Sequence, residues 1–143
     1  MKELEQFKKE MFAKRKIKEN WMDTYECVAI SKAWADYIWI PTGSFHGSAY
    51  NWWLKDMKWW ERVEKSQWLK PNPWDILFWD KTKSNPYWHT SICTREGGRL
   101  FLTHLEQNGG RWSGTGEWSD AIRERRTTYY NLLWWKTQKK SPN

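Results

Sequence analysis

The chain has 143 residues, the usual size of one domain, and no apolar run in it is long enough to cross a bilayer or to form the core of a signal peptide. Its 24 Lys and Arg against 17 Asp and Glu give a formal charge of +7, which favours an anionic partner such as nucleic acid, lipid headgroups or acidic wall polymers. Two cysteines exclude a disulfide framework and a four-thiolate zinc site, which leaves one bridge or two free thiols.

The first predicted element is an amphipathic helix. Leu4, Phe7, Met11 and Phe12 are spaced to line one face of a charged segment that runs to about Ile17. We therefore expect this helix to pack onto the domain through that face, and not to be a targeting peptide.

A second helix is predicted to begin at Asp23 or Thr24, either of which can serve as its N-cap. Apolar residues at helical spacing continue it until Pro41 ends it. Cys27 then lies in the first turn, where unpaired N–H groups and the helix dipole favour the thiolate, the nucleophilic form of cysteine. The alternative is that Cys27 is a small buried apolar residue without a chemical role.

The second half of the chain is predicted to form strands. Short β-prone runs separated by turn-forming residues are Ile76–Trp79, His89–Thr94, Leu100–Glu106, Arg126–Tyr130 and Leu132–Lys136. Gly97 and Gly98 indicate a hairpin between two of these runs. Residues 55–70 show no decisive period and stay unassigned, and residues 137–143 are expected to form a frayed tail. Helices followed by strands predict an α+β domain.

Three histidines are candidates for a general base that would activate a thiol. His89 opens a predicted strand, His104 lies within one, and His46 lies in a loop, so position alone does not choose between them. The hairpin is expected to place Glu106 in the strand beside His89. A carboxylate at Glu106 or an amide at Asn108 could then orient the imidazole as the third member of a triad.

The order of four segments resembles the CHAP domains, cysteine- and histidine-dependent amidohydrolases and peptidases of the papain-like superfamily. The segments are Cys27-Val28, Pro73-Trp74-Asp75-Ile76-Leu77-Phe78, Tyr87-Trp88-His89-Thr90-Ser91-Ile92 and Leu105-Glu106-Gln107-Asn108-Gly109. The resemblance spans most of the chain and implies a single CHAP-like catalytic domain over residues 1–143. It also implies a papain-like α+β fold, with N-terminal helices packed on an antiparallel sheet of about five strands.

The same resemblance implies roles for the candidate residues. Cys27 would be the nucleophile, His89 the base, and Glu106 with Asn108 would orient the imidazole. The thiolate would attack an amide carbonyl, His89 would protonate the leaving amine, and water would release the thioester. The expected substrate bond lies in bacterial peptidoglycan, either between muramic acid and L-alanine or within the stem peptide or cross-bridge.

Peptidoglycan is therefore the expected partner, with anionic wall polymers as a further candidate. We expect no nucleic acid, membrane, cofactor or metal, since Asp23 alone makes a poor calcium site. A monomer is expected, made in the cytoplasm without a signal peptide and reaching the wall by phage-mediated release or in a virion. Two alternatives are a catalytically inactive wall-binding module and a basic, aromatic-rich nucleic-acid binder, although no nucleic-acid motif is present.

Tryptophan is unusually frequent, with 15 Trp against 8 Gly. Several tryptophans occupy places where backbone geometry or the CHAP pattern favours Gly: Trp39, Trp74, Trp88 and Trp134, with Trp21 and Trp118 of similar appearance. One hypothesis is that the gene comes from a lineage that reads UGA as glycine, so that these positions are glycine in the natural host. The alternative is a true Trp-rich surface that stacks on sugars or bases.

Overall fold

A computed structural model describes residues 2–15, 17, 27–38, 60–66, 69–81, 88–95, 97–107 and 122–138. Within them the elements follow in the order α1 (Lys2–Lys14), α2 (Cys27–Tyr37), β1 (Trp60–Glu64), β2 (Ile76–Trp79), β3 (His89–Arg95), β4 (Phe101–Glu106), β5 (Arg123–Thr128) and β6 (Leu132–Gln138). The strands form one antiparallel sheet in the order β1-β6-β2-β3-β4-β5. The predicted α+β class is confirmed, with six strands in the described sheet.

Both helices pack on one face of the sheet. The shared core contains Leu4, Phe7 and Met11 of α1 and Ile30 and Trp34 of α2, together with strand residues Ile76, Phe78, Ile92 and Leu105. This arrangement follows from the helical spacing of the apolar residues, because each helix has one apolar stripe to bury. The N-terminal helix is thus part of the domain core, as its sequence pattern predicts.

The α1 helix differs from its prediction at two places. It ends at Lys14 instead of near Ile17, because Arg15 adopts a left-handed conformation with φ of 65°, which ends a helix. Phe12 is 43% exposed, since it lies at the edge of the apolar stripe next to the buried Met11.

The other face of the sheet carries its own apolar cluster. Its buried members are Leu77, Trp79, Cys93, Leu102, Leu132 and Trp135. Residues of this cluster alternate along their strands with residues of the helix-facing core, as the two-residue period of a strand requires. The central strand β2 is therefore buried on both faces, which explains its uninterrupted apolar sequence.

Several strands also differ from prediction. Strand β1 forms in the unassigned stretch, and β6 extends to Gln138 because Thr137 and Gln138 pair with β1 instead of fraying. Strand β5 begins at Arg123 instead of Arg126. Its sequence has no apolar alternation, and backbone pairing with β4 keeps it in the sheet. The predicted strand end at Tyr130 is a turn. None of the helices in the described ranges is long and apolar enough to span a membrane.

Candidate active site

Cys27 is the first residue of α2 and is half-buried with a free thiol. The helix is fixed on the sheet because Ile30, one turn later, lies in the same core cluster as Ile92 of β3. The thiol therefore lies at the end of the helix that carries the positive pole of the helix dipole. The predicted N-cap at Asp23 or Thr24 lies outside the described residues.

His89 opens β3 and is paired with Glu106 at the end of β4. The two strands are antiparallel neighbours, and His89 Nε2 lies 2.8 Å from Glu106 Oε2. Both side chains are buried, with Glu106 only 1% exposed. Because an ionised carboxylate can only accept, Nε2 carries a proton and donates to Glu106. Nδ1 is then the ring nitrogen that remains for exchange of a proton with a thiol.

Cys27 interacts with this imidazole. Burial lowers the pKa of His89, but interaction with Cys27 and Glu106 outweighs it and raises the pKa to about 9. The ring therefore favours the imidazolium form at neutral pH. Nδ1 is buried and has no hydrogen-bond partner within the described part of the chain.

Glu106 is held by hydrogen bonds from three side chains, and His104 lies nearby. Its Oε2 accepts from His89 and lies 3.9 Å from His104 Nδ1, while its Oε1 accepts from Arg123 Nε and Arg125 Nη1, each at 3.0 Å. Burial would raise the pKa of Glu106, but the bond to His89, the charge of its imidazolium and the bond to Arg125 hold that pKa well below its usual range. The carboxylate is therefore ionised. We did not predict the arginines from sequence, although their two-residue spacing is the signal that could have indicated them.

His104 lies in different surroundings from His89. Its Nε2 lies 3.1 Å from Thr127 Oγ1, and its ring lies 4.7 Å from the ring of Trp79. Burial lowers the pKa of His104, to about 4, with help from the positive charges of His89 and the two arginines and against the attraction of Glu106. It is therefore a neutral ring behind the carboxylate. Two further candidates, His46 and Asn108, lie outside the described residues.

No disulfide links the two cysteines. Both thiols are free, and Cys93 is buried in the cluster on the far face of the sheet, whereas Cys27 packs against the helix-facing core. Cys93 Sγ lies 3.0 Å from the carbonyl of Arg95. Burial and the nearby charge of Asp75 raise the pKa of Cys93 to about 12, so it stays a thiol. The bridge that the sequence allowed is thus ruled out by the opposite placement of the two residues.

Three of the unusual tryptophans lie in the described residues. Trp74 has φ of 87°, in the left-handed region that favours Gly, and its indole Nε1 is buried without a hydrogen-bond partner among the described residues. Trp88, directly before His89, is half-buried against Trp134, with ring centroids 5.0 Å apart. The positions Trp21, Trp39 and Trp118 lie outside the described residues.

A metal centre is not formed by the described residues. Within those ranges no group of three or more His, Cys, Asp or Glu side chains is arranged to hold a metal ion. In the cluster of His89, His104 and Glu106, the Nε2 atoms of both histidines and both oxygens of Glu106 form hydrogen bonds, two of them from the arginines. The chemistry that these side chains can support is proton exchange with a thiol.

The fold is shared with solved structures. The wild type endolysin LysIME-EF1 matches with a TM-score of 0.66 and 14% identity, over 94% of this chain and 63% of that one. Ly7917 matches with a TM-score of 0.52 and 20% identity, over 79% of this chain and 53% of that one. The chain thus spans between half and two thirds of each of these proteins, and the likeness establishes the fold. No family model and no curated protein matches the sequence.

Proposed function

We propose that this chain is a CHAP-like cysteine hydrolase of peptidoglycan, in which Cys27 is the nucleophile and His89 its base. The observation that carries the proposal is the buried His89–Glu106 pair, whose imidazole interacts with a thiol at the start of a helix. Nucleophile, base and orienting carboxylate are the three parts that thiol-dependent acyl transfer requires. The endolysin LysIME-EF1, which shares the fold, supports the choice of the cell wall as substrate.

The proposed reaction begins with the Cys27 thiolate and the His89 imidazolium. The thiolate attacks the carbonyl carbon of an amide, and N–H groups near the start of α2 stabilise the oxyanion. His89 then gives its proton to the leaving amine, and the C–N bond breaks to leave a thioester. Water, deprotonated by the neutral imidazole, attacks the thioester, and the carboxylic acid product departs as the thiolate re-forms.

Glu106 and Asn108 complete the proposed site. Glu106 keeps Nε2 of His89 protonated and stabilises the imidazolium, which is the form that donates to the leaving amine. Asn108 is proposed as a second orienting group on the sequence resemblance alone. Residues 1–143 would act as one catalytic domain, and the setting we propose is a phage lysin that acts on the bacterial wall.

Lysis of purified cell walls tests the proposal. The wild-type chain is expected to clear walls in a turbidity assay and a zymogram, whereas Cys27→Ala and His89→Ala are expected to be folded and inactive. Cys93→Ser is the matched control, since it removes the other thiol. Wall binding without lysis by the wild type would indicate an inactive wall-binding module, and nucleic-acid binding that ignores Cys27→Ala would indicate the second alternative.

Mass spectrometry of the released fragments identifies the bond. An amidase releases peptides with a free L-alanine amino terminus from intact glycan strands. An endopeptidase releases a new amine within the stem peptide or cross-bridge and leaves alanine attached to muramic acid. Either result is compatible with the proposed thioester chemistry, because both bonds are amides.

A further inference from the structure

Two arginines contact the buried carboxylate of the proposed site from a neighbouring strand. Arg123 and Arg125 lie two residues apart on β5, so they share one face of the sheet. Antiparallel pairing places Arg123 opposite Glu106 and Arg125 opposite His104. Their guanidinium groups are thus brought to a single carboxylate oxygen, Oε1, at 3.0 Å each.

The two oxygens of Glu106 are used differently. Both arginine bonds go to Oε1, which leaves Oε2 directed at His89 Nε2 at 2.8 Å. A carboxylate held through one oxygen by two donors has little freedom to rotate, so the other oxygen keeps its position. Burial of Glu106 to 1% exposure would be costly for an ionised group without such partners.

We propose that Arg123 and Arg125 are positioning residues of the active site, which act through Glu106 by keeping it ionised and by fixing its Oε2 on His89. The inference rests on the proposed function of the Cys27–His89 pair and deepens it. This role explains why the sequence of β5 is charged, since β5 contributes nothing to either apolar cluster.

The arginines also oppose the positive charge of the His89 imidazolium, but this effect is weaker than their support of the Glu106 carboxylate. Their positive charges also disfavour the imidazolium of His89, but their side chains are 43% and 40% exposed, so water and salt screen them. The bond between Glu106 and His89 is buried and direct. The described charged or titratable groups that contact Glu106 are the two arginines, His89 and His104, and His104 stays neutral.

The test compares Arg123→Gln, Arg125→Gln and Arg125→Lys with Arg126→Gln. Arg126 is a matched control, because it lies on the same strand, carries the same charge and stacks on Phe101 at 4.2 Å instead of contacting Glu106. Two rates are measured against pH: lysis of walls, and alkylation of Cys27 by iodoacetamide. The alkylation rate needs no wall substrate, so it reports on the site even if the wall is not the substrate.

We expect each Gln variant to lose about 10- to 100-fold in lysis rate, the usual cost of removing a group that supports a catalytic ligand. The pH profile of alkylation should shift in the same variants, and Arg125→Lys should keep part of the activity because it retains the charge without the planar fork. Arg126→Gln should behave as wild type. Wild-type profiles for Arg123→Gln and Arg125→Gln would overturn the proposal.

A Glu106→Gln background separates positioning from direct contact with the substrate. If the arginines act through the carboxylate, adding Arg125→Gln to Glu106→Gln should change the rates by less than about twofold, since linked residues are not additive. A full additional loss in that background would mean that the arginines bind the substrate themselves, and would overturn the proposal. Melting curves verify folding, and Arg125→Lys is the readout if Arg125→Gln does not fold.

Discussion

Ser31 Oγ lies 3.3 Å from Thr90 Oγ1, and both side chains are fully buried. Ser31 is one helical turn after Cys27 on α2, and Thr90 directly follows His89 on β3. This hydrogen bond therefore ties the helix that carries the proposed nucleophile to the strand that carries its base. A polar pair inside an apolar core has few alternative partners, so it specifies one relative position of the two elements.

Thr90→Val is expected to lower both stability and activity. The change keeps the shape of the side chain but leaves the Ser31 hydroxyl without its partner, which should cost about 1–2 kcal/mol of unfolding free energy. Lysis should fall by a larger factor than this loss of folded protein explains, because small displacements of reacting groups are costly. Urea unfolding and wall lysis are the measurements. Thr90→Ser, which retains the hydroxyl, should keep the activity, and equal rates for the two variants would contradict this role.

Glu106 should contribute more to the lysis rate than Asn108 as the third member of the proposed site. A carboxylate stabilises the imidazolium that donates to the leaving amine, whereas an amide only orients the ring. Glu106→Gln is therefore expected to reduce the lysis rate more than Asn108→Ala does. The two variants are compared at saturating wall concentration after their folding has been verified by circular dichroism. Small and equal losses would count against this assignment.

Activity should decline on the basic side of the pH profile near pH 9. The leaving amine needs the His89 imidazolium, and interaction with Cys27 and Glu106 holds the pKa of that ring at about 9 in spite of burial. Above this pH the imidazolium loses its proton, so the rate should fall. Glu106→Gln removes a favourable negative charge, which should move the decline to lower pH.

Two measurements check the pH prediction: kcat/KM for soluble wall fragments against pH, and nuclear magnetic resonance titration of the imidazoles. His104 does not interfere, because burial lowers its pKa to about 4. A decline near pH 6.5, the ordinary value for histidine, would show that the interactions of His89 do not act as proposed.

Only one of the two thiols should react with iodoacetamide in the folded protein. Cys27 is half-buried, whereas Cys93 is fully buried and burial, with the charge of Asp75, raises its pKa to about 12. Alkylation at neutral pH is therefore expected at Cys27, and at both residues after unfolding in guanidinium. Peptide mass mapping gives the result, and rapid native labelling of Cys93 would contradict the described packing.

The gene should carry UGA codons at Trp39, Trp74, Trp88 and Trp134. The φ of 87° at Trp74 is costly for any residue with a side chain, by about 1–2 kcal/mol, and is free of that cost for Gly. A chain with Gly at these four positions is expected to melt at a higher temperature and to lyse walls faster. Nucleotide sequencing decides the first part, and UGG at all four positions would refute the hypothesis.

Trp34 and Trp135 are the controls for the codon prediction and should be UGG. Trp34 is fully buried, packs on Phe7 and donates its indole N–H to the Trp74 carbonyl at 3.1 Å, so it has the contacts of a true tryptophan. Trp34→Gly should destabilise the domain by more than about 3 kcal/mol, the usual cost of removing a buried ring. A stable Trp34→Gly variant would show that buried aromatic packing does not distinguish the tryptophans predicted to be UGG from those predicted to be UGA.

The sequence by itself determined the parts of this protein that depend on neighbours in the chain. The helical period placed the two helices, and an uninterrupted apolar run placed the strand Ile76–Trp79, because burial of one face or of both leaves a local pattern. Turn chemistry marked Trp74 as a position for Gly, and its φ has the sign that this reasoning requires. The hairpin glycines placed the strands of His89 and Glu106 side by side.

The tertiary structure alone decided which distant groups meet. It joined β1 to the end of the sheet beside β6, and it brought Arg123 and Arg125 to a carboxylate 17 and 19 residues away in the chain. It also placed the two histidines in different surroundings, since His89 interacts with Cys27 and the ring of His104 lies between Trp79 and Thr127. Such contacts leave no period in the sequence, because strand pairing and packing, not chain distance, set the separation of side chains in a sheet.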